Sequence, residues 1–429
     1  MRFLPSRACE RTTGQASTIA TAAVGSLPAK RAPSAELATA SLASKKFYHP
    51  ELDGLRFFAF FAVFVFHQWG HRPHAIGPVS PGMDRLIDWT FSTFIAGQAG
   101  VDLFFLLSAY LITRLLVQEQ RQTGRVSVKS FYIRRLLRIW PLYYAFLAWS
   151  VLFESSMLGN AGLGADLAIP FAVFLGNWKF TQLSALPNTS AVILWTVSIE
   201  EQFYLIWPLL FCWLSRSTLV KLCWGLIGSS FLLRVVMTQA GAIDFHLRSN
   251  TLTQIAPLCV GILFALRHES TQRITPLNPL LKKCMILLGM LLVVLSVFAF
   301  DLHAEGMDAD LKKFANVFFY LSTTVGSALV FRAAVQSPAE ASQRPTLFSN
   351  PVLVYLGRVS YGLYVFHMVG NYISKWYFLE RPWYVAAPLQ LLLALAITTA
   401  LAVISYYLLE KPFLKLKVHF TKVESRPGG

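Results

Sequence analysis

The chain has 429 residues, of which 55% are hydrophobic and 14% charged, with a mean hydropathy of +0.50. Soluble domains carry nearer a quarter charged residues, so this composition excludes an ordinary soluble protein and indicates a multipass membrane chain. A net charge of +16 then belongs to cytoplasmic loops rather than to nucleic-acid binding. Five scattered cysteines have neither metal nor redox spacing, which argues against a disulfide framework or a metal site.

Residues 1–46 are rich in Ala, Ser and Thr and carry seven Lys or Arg. They read as a disordered N-terminal tail, with a targeting segment as the alternative. A membrane domain is expected over 47–417, with a short basic tail over 418–429.

The first apolar stretch, Asp53 to Trp69, carries Arg56 near its start and His67 near its end. Eleven helical steps return to within about 20° of the starting direction, so the two share one face, roughly 16 Å apart along the axis. Such groups in a membrane helix usually face a bundle interior or a wet cavity. Snorkelling of Arg56 and a structural contact of His67 are the plainer alternatives. A loop follows from His71 to about Asp88. The second apolar run, Ile95–Leu116, holds one acid, Asp102, which could orient or charge-stabilise His67, or bind backbone instead. The third opens with Arg134, Arg135 and Arg138. Arg135 and Arg138 are three apart and share a face, either as a positive-inside anchor or as a phosphate clamp.

Leu167–Trp178 is short for a crossing and suits a re-entrant or interfacial segment. Further apolar runs lie at Ile193–Leu214, Leu219–Met237, Thr251–Leu266, Met285–Phe300, Phe314–Phe331, Val352–Ile373 and Ala387–Leu409. Glu200 and Glu201 interrupt the first of these. Adjacent on a helix, they point different ways and need different partners, one of which could be an acceptor hydroxyl. Arg358 and His367 lie nine apart within one run, about 180° around a helix. They are secondary candidates, and a structural hydrogen bond is the plainer reading of His367. Glu410, at the last exit, reads as an interfacial ion pair.

The expected fold is therefore an all-α integral membrane protein with about ten transmembrane helices and one short re-entrant or interfacial segment. With both termini inside, the inner segments hold 24 Lys or Arg and the outer ones 8, which favours N-in and C-in.

LDGLRFFAFFAVFVFH, GVDLFFLLSAYLIT, FYIRRLLRIWPLYY, LWTVSIEEQFYLIWP, LGRVSYGLYVFHM and YYLLEKPF together resemble, in order, the motifs of the acyltransferase 3 family of multipass membrane O-acyltransferases. Ala109 stands where the family's second block usually has Gly. The resemblance runs from about Tyr48 to Lys417. It implies transfer of an acyl group, often acetyl, from cytoplasmic acyl-coenzyme A to a hydroxyl of a surface glycan, a lipid-linked sugar or a similar acceptor. No tightly bound cofactor and no nucleic acid are implied, and the setting is a bacterial cytoplasmic membrane in contact with lipid. Arg56, Arg135 and Arg138 would hold the donor's phosphates, His67 would act as general base or acyl carrier, and Glu200 or Glu201 would position the acceptor. Many relatives fuse an esterase-like domain; here that activity would come from another protein. A transporter of a glycan or small acid is the rival reading, since intramembrane Arg, His and Glu also suit substrate pathways.

Overall fold

The computed structural model describes residues 49–70, 81–159, 162–270, 275–301, 309–335, 346–378 and 383–420. The expected tail 1–46, most of the loop after the first helix, and residues 421–429 lie outside the described residues. Among the described residues the structure is helical, with no strand.

Helix α1 spans Pro50–Trp69, with proline in its first turn and Glu51 and Asp53 beside the positive end of its dipole. Pro81–Ile95 forms α2, inside the stretch expected as loop, and a 3₁₀ turn, Ala96–Gln98, leads to α3, Ala99–Thr123. Gly124 closes α3 at φ 72°, a left-handed cap that glycine adopts without strain. Helix α4, Val128–Leu152, starts on a Ser127 cap that accepts from the Ser130 amide. Three short helices follow: α5 (Glu154–Leu158), α6 (Ala165–Ala172) and α7 (Gly176–Phe180). Next come α8 (Leu194–Trp213), α9 (Arg216–Gln239), the short α10 (Asp244–Ser249) and α11 (Ile255–Ser270). The chain continues as α12 (Pro279–Asp301), α13 (Ala309–Ala334), α14 (Pro351–Arg358), α15 (Ser360–Tyr377), α16 (Trp383–Ser405), a π-helical turn at Tyr406–Glu410, and α17 (Lys411–Lys417).

Five helical runs among the described residues are long and apolar enough to cross a membrane, or six if a bent pair counts as one span. That pair, α14 and α15, corrects the expectation of one straight helix over Val352–Ile373: its axes differ by 77°. Gly357, just before the break, lies directly on the Asp53 carbonyl of α1, where any side chain would collide. Glu410 also differs from expectation: it is buried, and one carboxylate oxygen has no hydrogen-bond partner.

Three of the apolar runs differ from the charged helices in burial. Windows in Arg216–Gln239, Pro279–Phe298 and Ala386–Lys417 are only 17–22% buried, and their exposed side chains, such as Trp224, Leu287 and Leu408, are hydrophobic. That is the surface of a helix facing lipid. Helices α1, α4 and α8 carry the arginines, glutamates and His67. Those residues lower their apolarity, and these helices pack in the interior around Phe60, Phe64, Phe105, Tyr143, Ile199 and Trp207.

The α6–α7 segment is too short to cross, and its open helix ends are satisfied from neighbouring helices. Tyr143 donates to the Phe171 carbonyl at 2.7 Å and Tyr144 to Ala172 at 2.8 Å, both from α4. Gln202 of α8 donates to the Phe174 carbonyl at 2.7 Å. Irregular backbone is tolerable in an apolar setting only when its polar groups are met in this way.

Candidate active site

Helices α1, α3, α4, α8 and α15 enclose a cavity of about 720 Å³, open mouth included. Arg56 reaches it from α1, Ser108 from α3, Arg135 and Arg138 from α4, Glu200 and Tyr204 from α8, and Tyr361 and Tyr364 from α15. Arg56 also lies 3.5 Å from Asp53, one turn back on α1. The guanidinium of Arg135 sits 5.8 Å from the ring centre of Tyr204 and equally far from Phe131, and its Nε makes no hydrogen bond. Arg134 does not join this group. It donates to Glu119 at 2.8 Å and to the Phe420 carbonyl at 2.9 Å, which ties α4 to α3 and to the turn at Val418–Phe420.

The two adjacent acids part company as their helical geometry requires. Glu200 accepts from Ser108 Oγ at 2.5 Å beside the cavity. Glu201 accepts from Trp140 Nε1 at 3.1 Å, and its other oxygen is buried without a hydrogen bond.

His67 is not among the residues lining the cavity. It meets His367 instead, across 300 residues of sequence, with His67 Nδ1 at 3.3 Å from His367 Nε2. The fully buried His367 donates from Nδ1 to the Tyr364 carbonyl at 2.5 Å, so its neutral ring turns an accepting Nε2 towards His67. His67 Nδ1 also lies 2.9 Å from the Val63 carbonyl, which can only accept. Both contacts call for a proton on His67 Nδ1, leaving the basic lone pair on its Nε2. Tyr364 joins the two parts of the site: its ring contacts His367, its hydroxyl bonds Thr196 at 2.9 Å, and it lines the cavity.

Two sequence candidates lie elsewhere. Asp102 does not orient His67; its carboxylate accepts from Thr323 Oγ1 at 2.6 Å on α13 and lines a separate, smaller cavity. Arg358 is exposed at the end of α14, across the bend from His367. Sequence reasoning missed Ser108, Tyr204, Tyr361 and Tyr364. The spacing of Tyr361, Tyr364 and His367, three apart each time on one helix face, is the signal that could have found three members of the site.

The arrangement can bind an anion at the arginines and move a proton at His67. Among the described residues no group of three metal-ligating side chains forms.

Comparison with known proteins gives the same chemistry a family. A family model described as "Acyltransferase domain" matches residues 49–407. A Staphylococcus aureus (strain MSSA476) protein, provisionally named an O-acetyltransferase, is 27% identical over 390 residues, covering 86% of this chain and 58% of its own length. The peptidoglycan O-acetyltransferase OatA of Listeria monocytogenes is 28% identical over 336 residues, covering 75% of this chain and 49% of its own. The chain thus spans about half the length of the curated relatives it matches. No solved structure matches it. With most of its length matched by that model, the chain belongs to the acyltransferase 3 family.

Proposed function

We propose that the protein is a membrane O-acyltransferase that moves an acyl group, acetyl in the first instance, from cytoplasmic acyl-coenzyme A to a hydroxyl of a cell-surface glycan or lipid-linked sugar. The observation that carries this reading is the convergence of Arg56, Arg135 and Arg138 on one cavity joined through Tyr364 to the His67–His367 pair. Three guanidinium groups against one inward carboxylate, Glu200, favour a polyanion such as the donor's phosphates.

In the reaction, the acceptor hydroxyl gives its proton to His67 Nε2 while its oxygen bonds to the thioester carbonyl carbon. The carbon–sulfur bond then breaks, and the departing thiolate takes the proton from His67. The Tyr364 carbonyl and His367 hold the His67 ring in the tautomer this needs. An acyl-His67 intermediate is the two-step form of the same chemistry. Glu200 and Glu201 position the acceptor or the acyl group from α8.

The ten longer helical passes, counting α14 and α15 as one, are taken to run N-in and C-in across a bacterial cytoplasmic membrane. The 24-to-8 excess of Lys and Arg on the inner segments supports that orientation.

The test uses purified protein in lipid vesicles with radiolabelled acetyl-coenzyme A and a panel of glycans. Native protein should release coenzyme A and label an acceptor, and His67→Ala, at matched folding, should lose about 10²- to 10⁴-fold. Turnover surviving in His67→Ala removes His67 from the chemistry. Transport of an unmodified glycan without donor consumption replaces the enzyme reading with a transporter.

A further inference from the structure

The arginine cavity changes character along its length, and contacts between helices mark its layers. At one end the Arg135 guanidinium lies beside the ring of Tyr204 on α8. One turn back along α8, Glu200 accepts from Ser108 of α3. One turn further back on both helices, Phe104 of α3 sets its ring edge against Tyr364 at 5.7 Å, and Tyr364 bonds Thr196 of α8. Val101, three residues before Phe104, comes last. Tyr204 to Thr196 is a rise of about 12 Å. Charge is therefore gathered at one end, and Val101, Phe104, Phe105 and Val197 make the other end apolar.

The apolar end is the one beside the histidines. The Tyr364 ring lies 5.4 Å from that of His367. Helices α1 and α3 run antiparallel and close on two glycines: Gly100 seats against Ala59 and Val63, and Gly97 against Ala62 and Phe66. Val101, next to Gly100, is thus level with Ala59–Val63. His67 bonds the Val63 carbonyl at 2.9 Å, one turn on. A donor held by its phosphates at the arginines brings its acyl group to this end.

That end is shut. Val101 also lines a smaller space on its far side, which admits about a water or two. Asp102 and Arg248 face that space. Both are engaged: Asp102 accepts from Thr323 at 2.6 Å, and Arg248 donates to Asp244 at 2.5 Å. An alkyl tail pressing past Val101 would meet the valine methyls first. Behind them it would strip water from charged groups, which is costly.

We infer that Val101 is the end wall of the acyl pocket and limits the transferred group to acetyl or propionyl, with Phe104 as the flanking wall. The inference rests on the acyltransferase reading and adds to it the residue that sets acyl length.

The test uses full-length protein in lipid vesicles with acetyl-, propionyl-, butyryl- and hexanoyl-coenzyme A, following coenzyme A release and transfer to one glycan panel. In native protein kcat/KM should fall at least about tenfold from propionyl to butyryl, with hexanoyl unreactive. Val101→Ala should raise the butyryl-to-acetyl ratio of kcat/KM about tenfold, and Val101→Ile should lower the propionyl-to-acetyl ratio. Loss of folded protein lowers turnover of every donor alike and leaves these ratios unmoved, so the ratios read the wall itself. The native series needs no variant and decides alone if neither variant folds. Native turnover of hexanoyl-coenzyme A on a par with acetyl, or ratios unmoved in both variants, overturns the wall and leaves the acyltransferase reading standing. Native protein that consumes no donor of any length overturns both.

Discussion

Arg134 and Arg135 are neighbours in sequence and point about 100° apart on α4. That angle gives them different work. Arg134 is 8% exposed and paired with the buried Glu119; removing one side of a buried pair leaves the other charge stranded. Arg134→Ala should therefore cost about 3 kcal/mol in unfolding free energy with the donor KM unchanged. Arg135→Lys should do the reverse: it keeps the charge but loses the fork that grips phosphate, so the donor KM should rise about tenfold with little change in stability. Thermal unfolding and donor titration of both variants check the pair; equal effects on donor KM would remove the distinction. His367→Gln tests the histidine contact. A side-chain amide keeps a hydrogen-bonding group near His67 but not the imidazole geometry, so kcat should fall about 10- to 100-fold with donor KM steady.

At this scale the sequence was partly legible. Arg56 and His67 could be placed on one helix because helical spacing is a local property. The meeting of His67 with His367, across 300 residues, was hidden, because no periodicity encodes which helices become neighbours. The tyrosines were hidden for another reason: aromatic residues abound in membrane helices, and most line lipid or the interface. The partner of Asp102, Thr323 on α13, was hidden likewise, because depth along a helix does not say which way its face turns.

Between elements, glycine placement governs how closely the bundle closes. Gly261 on α11 packs on the Leu106 carbonyl of α3, and a Cβ there would also lie 3.1 Å from that of Ala109. Ala109 and Gly261 are thus small residues that meet across this interface. Gly261→Val should destabilise by about 1–3 kcal/mol through overpacking, and Ala109→Gly added to it should restore part of that loss. A double variant no more stable than the single one would show that the two positions do not share the contact. The α14–α15 bend was illegible because Val359 and Ser360 carry no helix-breaking signature; the turn answers to Gly357 seated on α1. By contrast, the shortness of the apolar run before α8 was legible, and it folds as the short helices α6 and α7, since length is a local property too. Its anchoring implies that Tyr143→Phe and Tyr144→Phe should each cost about 1 kcal/mol and together speed hydrogen exchange in 165–180.

For the whole molecule, the inner excess of Lys and Arg makes a sided prediction. In a version without native cysteines, Ser184→Cys should react with an impermeant maleimide in intact cells. Ser217→Cys should react only after the membrane is opened. Both positions are exposed, and they flank α8. Labelling of both from the same side would mean that α8 does not cross.

The place of α1 in the bundle has a consequence for biogenesis. Helix α1 carries Glu51, Asp53, Arg56 and His67, and part of its seat is built from α14 and α15, which are made some 300 residues later. Until then only part of its packing is in place, including the close approach of Gly97 and Gly100 to the Ala62 and Ala59 carbonyls. Completion of the packing around α1 is thus deferred until α14 and α15 are made, and a nascent chain halted before α14 would hold that helix more loosely.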